Sequence, residues 1–203
     1  HKPHFLTVRR GADLAAVLPL VEVKSALFGH ALISNAFCVG GGPLAADDDA
    51  LAEILEQAAH LGRSLGVDYV ELRDTPAAGE GWIAKGELYA GFAREIPADE
   101  DANMNAIPKK QRAVVRKART MDLSVTVDPD MGDYFSLYAT TMRDHGTPAL
   151  PKRFFETLAR TFGADCEVLT IRKNGTPVSS VLSYYHGDAV LPYYTGSRRE
   201  ARA

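Results

Sequence analysis

Apolar and polar residues alternate with a period of two over 4–10, 14–24 and 31–39, in stretches rich in Val, Leu and Ile, and predict three strands in close succession. Pro19 has no amide donor, so the second strand is expected to lie at a sheet edge or to carry a bulge there. Gly40, Gly41, Gly42 and Pro43 interrupt the alternation, after which the period changes. Leu51, Ile54, Leu55, Ala58, Ala59 and Leu65 recur at helical spacing and predict a helix over 47–65, stopped by Gly66. Strands are expected again over 67–73 and 87–95, with a polar loop rich in Gly, Ala and Pro between them. A helix over 107–119 follows, then a strand over 123–128. Two helices, 131–145 and 151–162, are separated by Gly146, Thr147 and Pro148. Three strands, 167–173, 177–185 and 189–194, close the pattern. Asn174 and Gly175 between the first two of these are the strongest short hairpin signal in the chain. Residues beyond Gly196 read as a helix just beginning.

The two ends of this pattern repeat. Residues 6–10 read LTVRR and 169–173 read LTIRK; after a turn, AAVL at 15–18 answers SSVL at 179–182, offset by a single residue. Each hairpin leads to a further strand that ends at glycine before a helix starts. This order predicts two copies of one α+β unit, a first unit over 1–105, a connecting helix over 106–122 and a second unit over 123–203. The first copy opens on a strand where the second has two helices, and the second stops where the first has a long helix. The expectation is a chain truncated at both ends.

Charge changes the picture at the connecting helix. The chain carries net charge −3, yet Lys109, Lys110, Arg112, Arg116, Lys117 and Arg119 contribute six positive charges within one short segment, IPKKQRAVVRKAR. At 3.6 residues per turn these cations cover roughly half of the helix circumference. Gln111, Val114, Val115 and Ala118 fall on the other side and are expected to rest on a core. Pro108 suits the first helical turn. Lys109 and Lys110 then sit at the positive end of the macrodipole, where each costs about 0.3–1 kcal/mol unless an anion offsets it. That anion is either the acidic run Asp99, Glu100 and Asp101 or a bound ligand.

Positive charge this local does not describe a general nucleic-acid binder, and no window approaches the roughly eighteen uninterrupted apolar residues of a membrane span. With 46% apolar and 24% charged residues among 203, the composition is that of a soluble globular protein with one sizeable core or two small ones, for which the cytoplasm is the expected setting. Cys38 and Cys166 lie in separate apolar runs without a CxxC partner and read as buried free thiols rather than as a disulfide or a nucleophile. The six histidines form no HxxxH or HxH pair, so no metal site is expected.

The tandem units, with the runs VLPLVEVKSALFGHALIS, FCVGGG, LGVDYVELR, IPKKQRAVVRKAR, GTPALPKRFF and VLPYYTG, resemble the FemAB-like family of the GNAT acyltransferase superfamily, in its exosortase- and PEP-CTERM-associated branch. The resemblance extends over nearly the whole chain. It implies tandem GNAT-like units with mixed or antiparallel sheets flanked by helices, and transfer of an acyl or aminoacyl group to an amine in cell-envelope or exopolysaccharide metabolism. The substrate would lie in a groove where the units meet. Acyl-CoA or aminoacyl-tRNA is the donor that the resemblance implies, and the partners are an anionic small-molecule or carrier substrate and tRNA. The alternative class is a non-catalytic module that holds nucleic acid or an acidic partner on the basic helix.

Set beside that resemblance, two glycine turns invite a phosphate, because uncapped amides and the helix dipole attract anions. Asp47, Asp48 and Asp49 begin the helix after Gly40–Gly42; they cap its amides and repel a phosphate, so a plain tight connection is expected there. Thr195, Gly196 and Ser197 are followed by Arg198 and Arg199, a cationic end, and Gly196, Ser197 and Arg198 are the candidate donor-binding residues. Lys110, Arg112 and Arg116 are the candidate substrate-binding cations; Arg112 and Arg116 are one turn apart and share a face. Tyr193 and Tyr194, also candidates for substrate binding, are expected on opposite faces of their strand, as are Tyr184 and Tyr185. Asp144 and His145 lie beside the break at Gly146. No Ser, His, Asp arrangement or GxSxG elbow is present. Attack by a neutral amine needs orientation and oxyanion stabilisation more than a protein nucleophile, and no general base is identified.

Overall fold

The computed structural model describes residues 1–27, 29–73, 79–86, 90–127 and 131–202. The chain divides into two compact units, His1–Ala93 and Arg94–Ala203, each a sheet with helices packed on it. The fold is α+β throughout.

In the first unit, β1 (Lys2–Arg10), β2 (Asp13–Ser25) and β3 (Gly29–Ser34) form an antiparallel meander. A two-residue strand, β4 (Leu44–Ala45), also pairs with β2, and α1 (Asp48–Leu65) crosses over to β5 (Tyr69–Glu71), which lies parallel to β3. Val8, Leu18, Leu20 and Leu32 of the sheet are buried against Ile54 and Ala58 of α1. That helix begins where the carboxylate of Asp47 accepts from the Ala50 amide at 2.7 Å, and it ends at Gly66 in the left-handed conformation, φ 64°. Both ends match their sequence signals.

Pro19 is a correction. β2 is an interior strand, and the register shift lies at Val8/Arg9 instead, with Pro19 directly opposite Phe5. On the other side of β2, β4 pairs as far as Val17 and β3 starts at Leu20. Pro19 falls in the gap between two partners, where no ladder bond is asked of that side. The third strand also stops at Ser34 rather than reaching 39, because Asn35 and Phe37 turn the backbone to positive φ. Of the strand expected over 67–73, three residues remain. In the stretch 87–95, residues 87–89 lie outside the described residues and 90–95 form no strand.

In the second unit, α2 (Glu100–Ala106) and α3 (Lys109–Arg119) precede β6 (Leu123–Val127), α4 (Met131–His145) and α5 (Lys152–Phe162). β7 (Cys166–Lys173), β8 (Thr176–His186) and β9 (Ala189–Ser197) complete an antiparallel sheet in the order β6-β7-β8-β9, and a 3₁₀ turn covers Arg199–Arg202. Val168 and Leu182 are buried under Tyr134, Tyr138 and Phe155 of α4 and α5. Asn174 and Gly175 both have positive φ, 49° and 75°, as a two-residue hairpin turn requires.

The two hairpins agree in register. Val8 faces Ala16, Arg9 faces Leu14 and Arg10 faces Asp13; Ile171 faces Ser179, Arg172 faces Pro177 and Lys173 faces Thr176. Turn length and bulge position coincide when 8 is matched with 171 and 16 with 179, so the one-residue offset between AAVL and SSVL is absent from the backbone. Burial explains it. α1 covers the face that carries Val8 and Leu18, whereas α4 and α5 cover the face of Val168 and Leu182, whose counterparts in the first unit are Phe5 and Pro19. Phe5 is 72% exposed and Val168 is 3% exposed. Helices on opposite faces of equivalent meanders move the apolar pattern by one residue.

Candidate functional site

The basic helix is a peripheral element. Among its residues none is buried; Gln111 is exposed, Val114 is 64% exposed, and Val115 and Ala118 are half-buried, so the expected core-facing side does not sit on a core. Lys109, Lys110, Arg116, Lys117 and Arg119 are exposed. Arg112 differs. Its guanidinium reaches back over the start of α3 to the Asn105 side-chain oxygen (3.0 Å) and the Ile107 carbonyl (3.2 Å). It thereby ties the helix to the end of α2. Of the acidic run, Asp99 caps α2 through the Ala102 amide at 2.7 Å, and Glu100 meets Arg119 at 3.9 Å between two exposed side chains. Such a pair contributes about 0–1 kcal/mol.

The glycine turns are placed differently from the expectation. Gly40 and Gly41, with φ 74° and 91°, lie in the loop between β3 and β4, and a side chain at Gly41 would meet Asn35. The strand-to-helix turn of this unit comes later, at Ala46 and Asp47. In the second unit β9 runs on to Ser197, past the end expected at 194. Gly196 is buried in that strand, and a Cβ there would collide with the α4 backbone at Leu137 and Tyr138. It is a close-packing glycine. The Ser197 amide donates to the Thr141 hydroxyl (2.9 Å) and the Arg198 amide to the Val178 carbonyl (2.9 Å). Arg198 donates through Nε to the Pro177 carbonyl at 2.9 Å, and Arg199 holds Asp144 with two bonds of 3.1 and 3.2 Å. Donor binding at this turn would use side chains, since the amides of Ser197 and Arg198 are engaged.

The tyrosine pair breaks strict alternation. Leu182 faces Tyr194 but Ser183 faces Pro192, which leaves Tyr193 as the extra residue of a bulge. The rings of Tyr193 and Tyr194 are 4.7 Å apart and therefore adjacent, not on opposite faces. Tyr193 also touches Tyr184 (6.0 Å), and Tyr194 packs on Phe155 (5.2 Å) and Phe154 (6.2 Å). Both rings are half-buried. Tyr184 and Tyr185 do alternate: Tyr184 joins the core, and Tyr185 is exposed with its hydroxyl donating to Glu167 at 3.3 Å. In the cluster on which Tyr194 packs lies Tyr134, fully buried, whose hydroxyl has no hydrogen-bond partner among the described residues. An orphaned hydroxyl at residue 134 has no sequence signal, because it depends on what packs around it.

A second titratable group lies in the first unit. Glu22 on β2 accepts from His30 on β3 (2.8 Å) and contacts His4 on β1 (3.4 Å). These residues are 18 and 8 apart in sequence and only the meander brings them together. Bonds from His30 and then His4 hold the Glu22 carboxyl below the usual glutamate range. Among the described residues, no group of three or more His, Cys, Asp and Glu is arranged to hold a metal ion, and no helix is long and apolar enough to cross a membrane. Cys38 and Cys166 are free thiols, both half-buried.

Residues 107–203 match the family model of an acetyltransferase (GNAT) domain. None of the curated proteins matches the chain. Among solved structures, FemX is similar with a TM-score of 0.65 at 12% identity, over 99% of this chain and 72% of FemX. The C-terminal DUF2156 domain of a protein described as a lysylphosphatidylglycerol synthetase from Agrobacterium fabrum gives a TM-score of 0.48 at 11% identity, over 98% of this chain and 61% of that one. The bulged strand, its tyrosines and the helices that support them all lie within the matched region, and the chain thus carries a GNAT-type acetyltransferase domain match on a fold similar to that of FemX.

Proposed function

We propose that the chain is the transferase part of an N-acyl- or aminoacyltransferase of the FemAB type, with its reacting groups beside the bulged strand β9. The observation that carries this reading is the coincidence of the GNAT match over 107–203 with a strand whose bulge sets Tyr193 and Tyr194 side by side. In such a reaction the acceptor amine attacks the donor carbonyl, the C–S or C–O bond to the carrier breaks, and the amine loses its proton. Orientation of the amine and donors for the developing oxyanion supply most of the rate. Tyr193 and Tyr194 are assigned to the acceptor or the leaving group. Arg198, with Gly196 and Ser197 shaping the turn, is assigned to the anionic part of the donor. Lys110 and Arg116 of α3 are assigned to an anionic part of the substrate, while Arg112 secures the helix start. Units over 1–105 and 123–203 joined by 106–122 remain our division of the function. The setting in cell-envelope or exopolysaccharide metabolism, and the exosortase-associated branch, are carried by the sequence resemblance alone.

The test offers the protein radiolabelled acetyl-CoA and aminoacyl-tRNA in parallel, with a panel of primary amines. Transfer from one donor, reduced about tenfold or more by Tyr194→Phe with little change in stability, supports the assignment. Failure of both donors to bind in calorimetry sinks it.

The second reading, a binding module, is favoured by α3, whose exposed cations are not matched by any buried residue on the same helix. It predicts RNA binding that weakens steeply with salt and survives Tyr194→Phe.

A further inference from the structure

Tyr134 stands in the first turn of α4, stacked at 6.1 Å on Tyr138 and edge-on to Phe155 at 5.3 Å. Its side chain is fully buried and its hydroxyl has no partner among the described residues. A buried phenol without a hydrogen bond is a liability that phenylalanine would remove. Tyr138, Tyr184, Tyr194 and Cys166 belong to the same cluster as Tyr134. Tyr138 already accepts the Leu150 amide at 3.4 Å. Desolvation, reinforced by those phenols, raises the Tyr134 pKa, so the hydroxyl keeps its proton and can donate.

The surroundings are mostly ring and aliphatic, with Phe155, Val168 and Leu182 in the same cluster. A carbonyl or hydroxyl oxygen carried on an apolar group needs one donor, and burial of the apolar part holds the remainder. Tyr184 and Tyr194 at the edge of that cluster are half-buried and so partly open to solvent.

We propose that Tyr134 is the floor of a ligand subsite in the second unit, its hydroxyl kept for the oxygen of an apolar acyl, aminoacyl or acceptor group that enters between Tyr184 and Tyr194. This rests on the transferase reading of the same unit. The subsite adds a residue that no sequence motif singles out.

The experiment uses benzamide, a flat apolar probe with one carbonyl, titrated into the protein with ring-labelled tyrosine and followed by NMR. Saturable shifts are expected at Tyr134, Tyr184 and Tyr194. Tyr134→Phe keeps the ring, so its Tm should stay equal or rise, while the benzamide dissociation constant rises about fivefold or more for one lost hydrogen bond. Unmoved Tyr134 signals up to the solubility limit, equal affinity in Tyr134→Phe, or a crystal structure with an ordered water bonded to Tyr134 in the benzamide-soaked protein would overturn it. Benzamide binding without acyl transfer from either donor supports the subsite and overturns the transferase reading. Transfer without any shift at Tyr134 does the reverse.

Discussion

Gly196 and Gly175 show how differently one residue type can be fixed. At Gly175 the turn demands positive φ and a Cβ would meet nothing, so Gly175→Ala should cost about 1 kcal/mol in backbone strain alone. At Gly196 the backbone is ordinary strand, yet a methyl would run into the Leu137–Tyr138 backbone of α4. Gly196→Ala should therefore cost about 1–3 kcal/mol or more, and urea unfolding of the two variants distinguishes strain from collision. Asp47→Ala removes the cap of α1 and should cost about 0.5–2 kcal/mol. Glu22 gives a pH prediction. Its folded-state pKa lies below the unfolded value of about 4.3, so its contribution is present above that value and is lost as pH falls through the folded pKa. Stability curves of the natural protein and Glu22→Gln, measured from pH 7 to pH 3, should converge at the acid end. A constant gap over that range would show that the His4 and His30 contacts do not depend on the carboxylate charge.

Among the elements, α1 and α3 sit at opposite ends of legibility. The boundaries of α1 follow from local chemistry, Asp47 at one end and Gly66 at the other, and its apolar stripe finds the sheet. The composition of α3 is just as readable, but its amphipathic pattern misleads: two valines and an alanine do not supply enough apolar area to dock it, and the helix remains attached through Arg112. The arginines should thus separate. Arg112→Gln should lower the helical signal and stability by about 1 kcal/mol, whereas Arg116→Gln should leave the melting temperature unchanged and weaken binding of an anionic donor or of RNA, with a smaller salt slope. Equal behaviour of the two variants would return them to a single functional pair. The missed helix α2 has a plain cause. Its seven residues, EDANMNA, have no apolar period, and its start depends on the Asp99 cap.

Across the whole molecule, equivalent hairpins bear helices on opposite faces, and this too can be measured. Phe5 and Val168 occupy matching positions, so Phe5→Ala should change stability by less than about 0.5 kcal/mol while Val168→Ala costs about 2 kcal/mol. Similar costs would mean that the open face of the first meander is covered in solution.

The sequence by itself determined the α+β class, the two caps of α1 and the Asn174 and Gly175 turn, the caps and the turn because each rests on contacts within a few residues. Local chemistry is enough where a side chain bonds its own turn. Only the tertiary structure decided that Pro19 fits an interior strand, that Tyr193 and Tyr194 share a side, and that Gly196 serves packing. It also decided that Tyr134 buries a hydroxyl without a partner among the described residues. Each of these depends on which strand or helix lies across from the residue, and a one-residue bulge or a change of covered face alters the outcome without altering the local pattern.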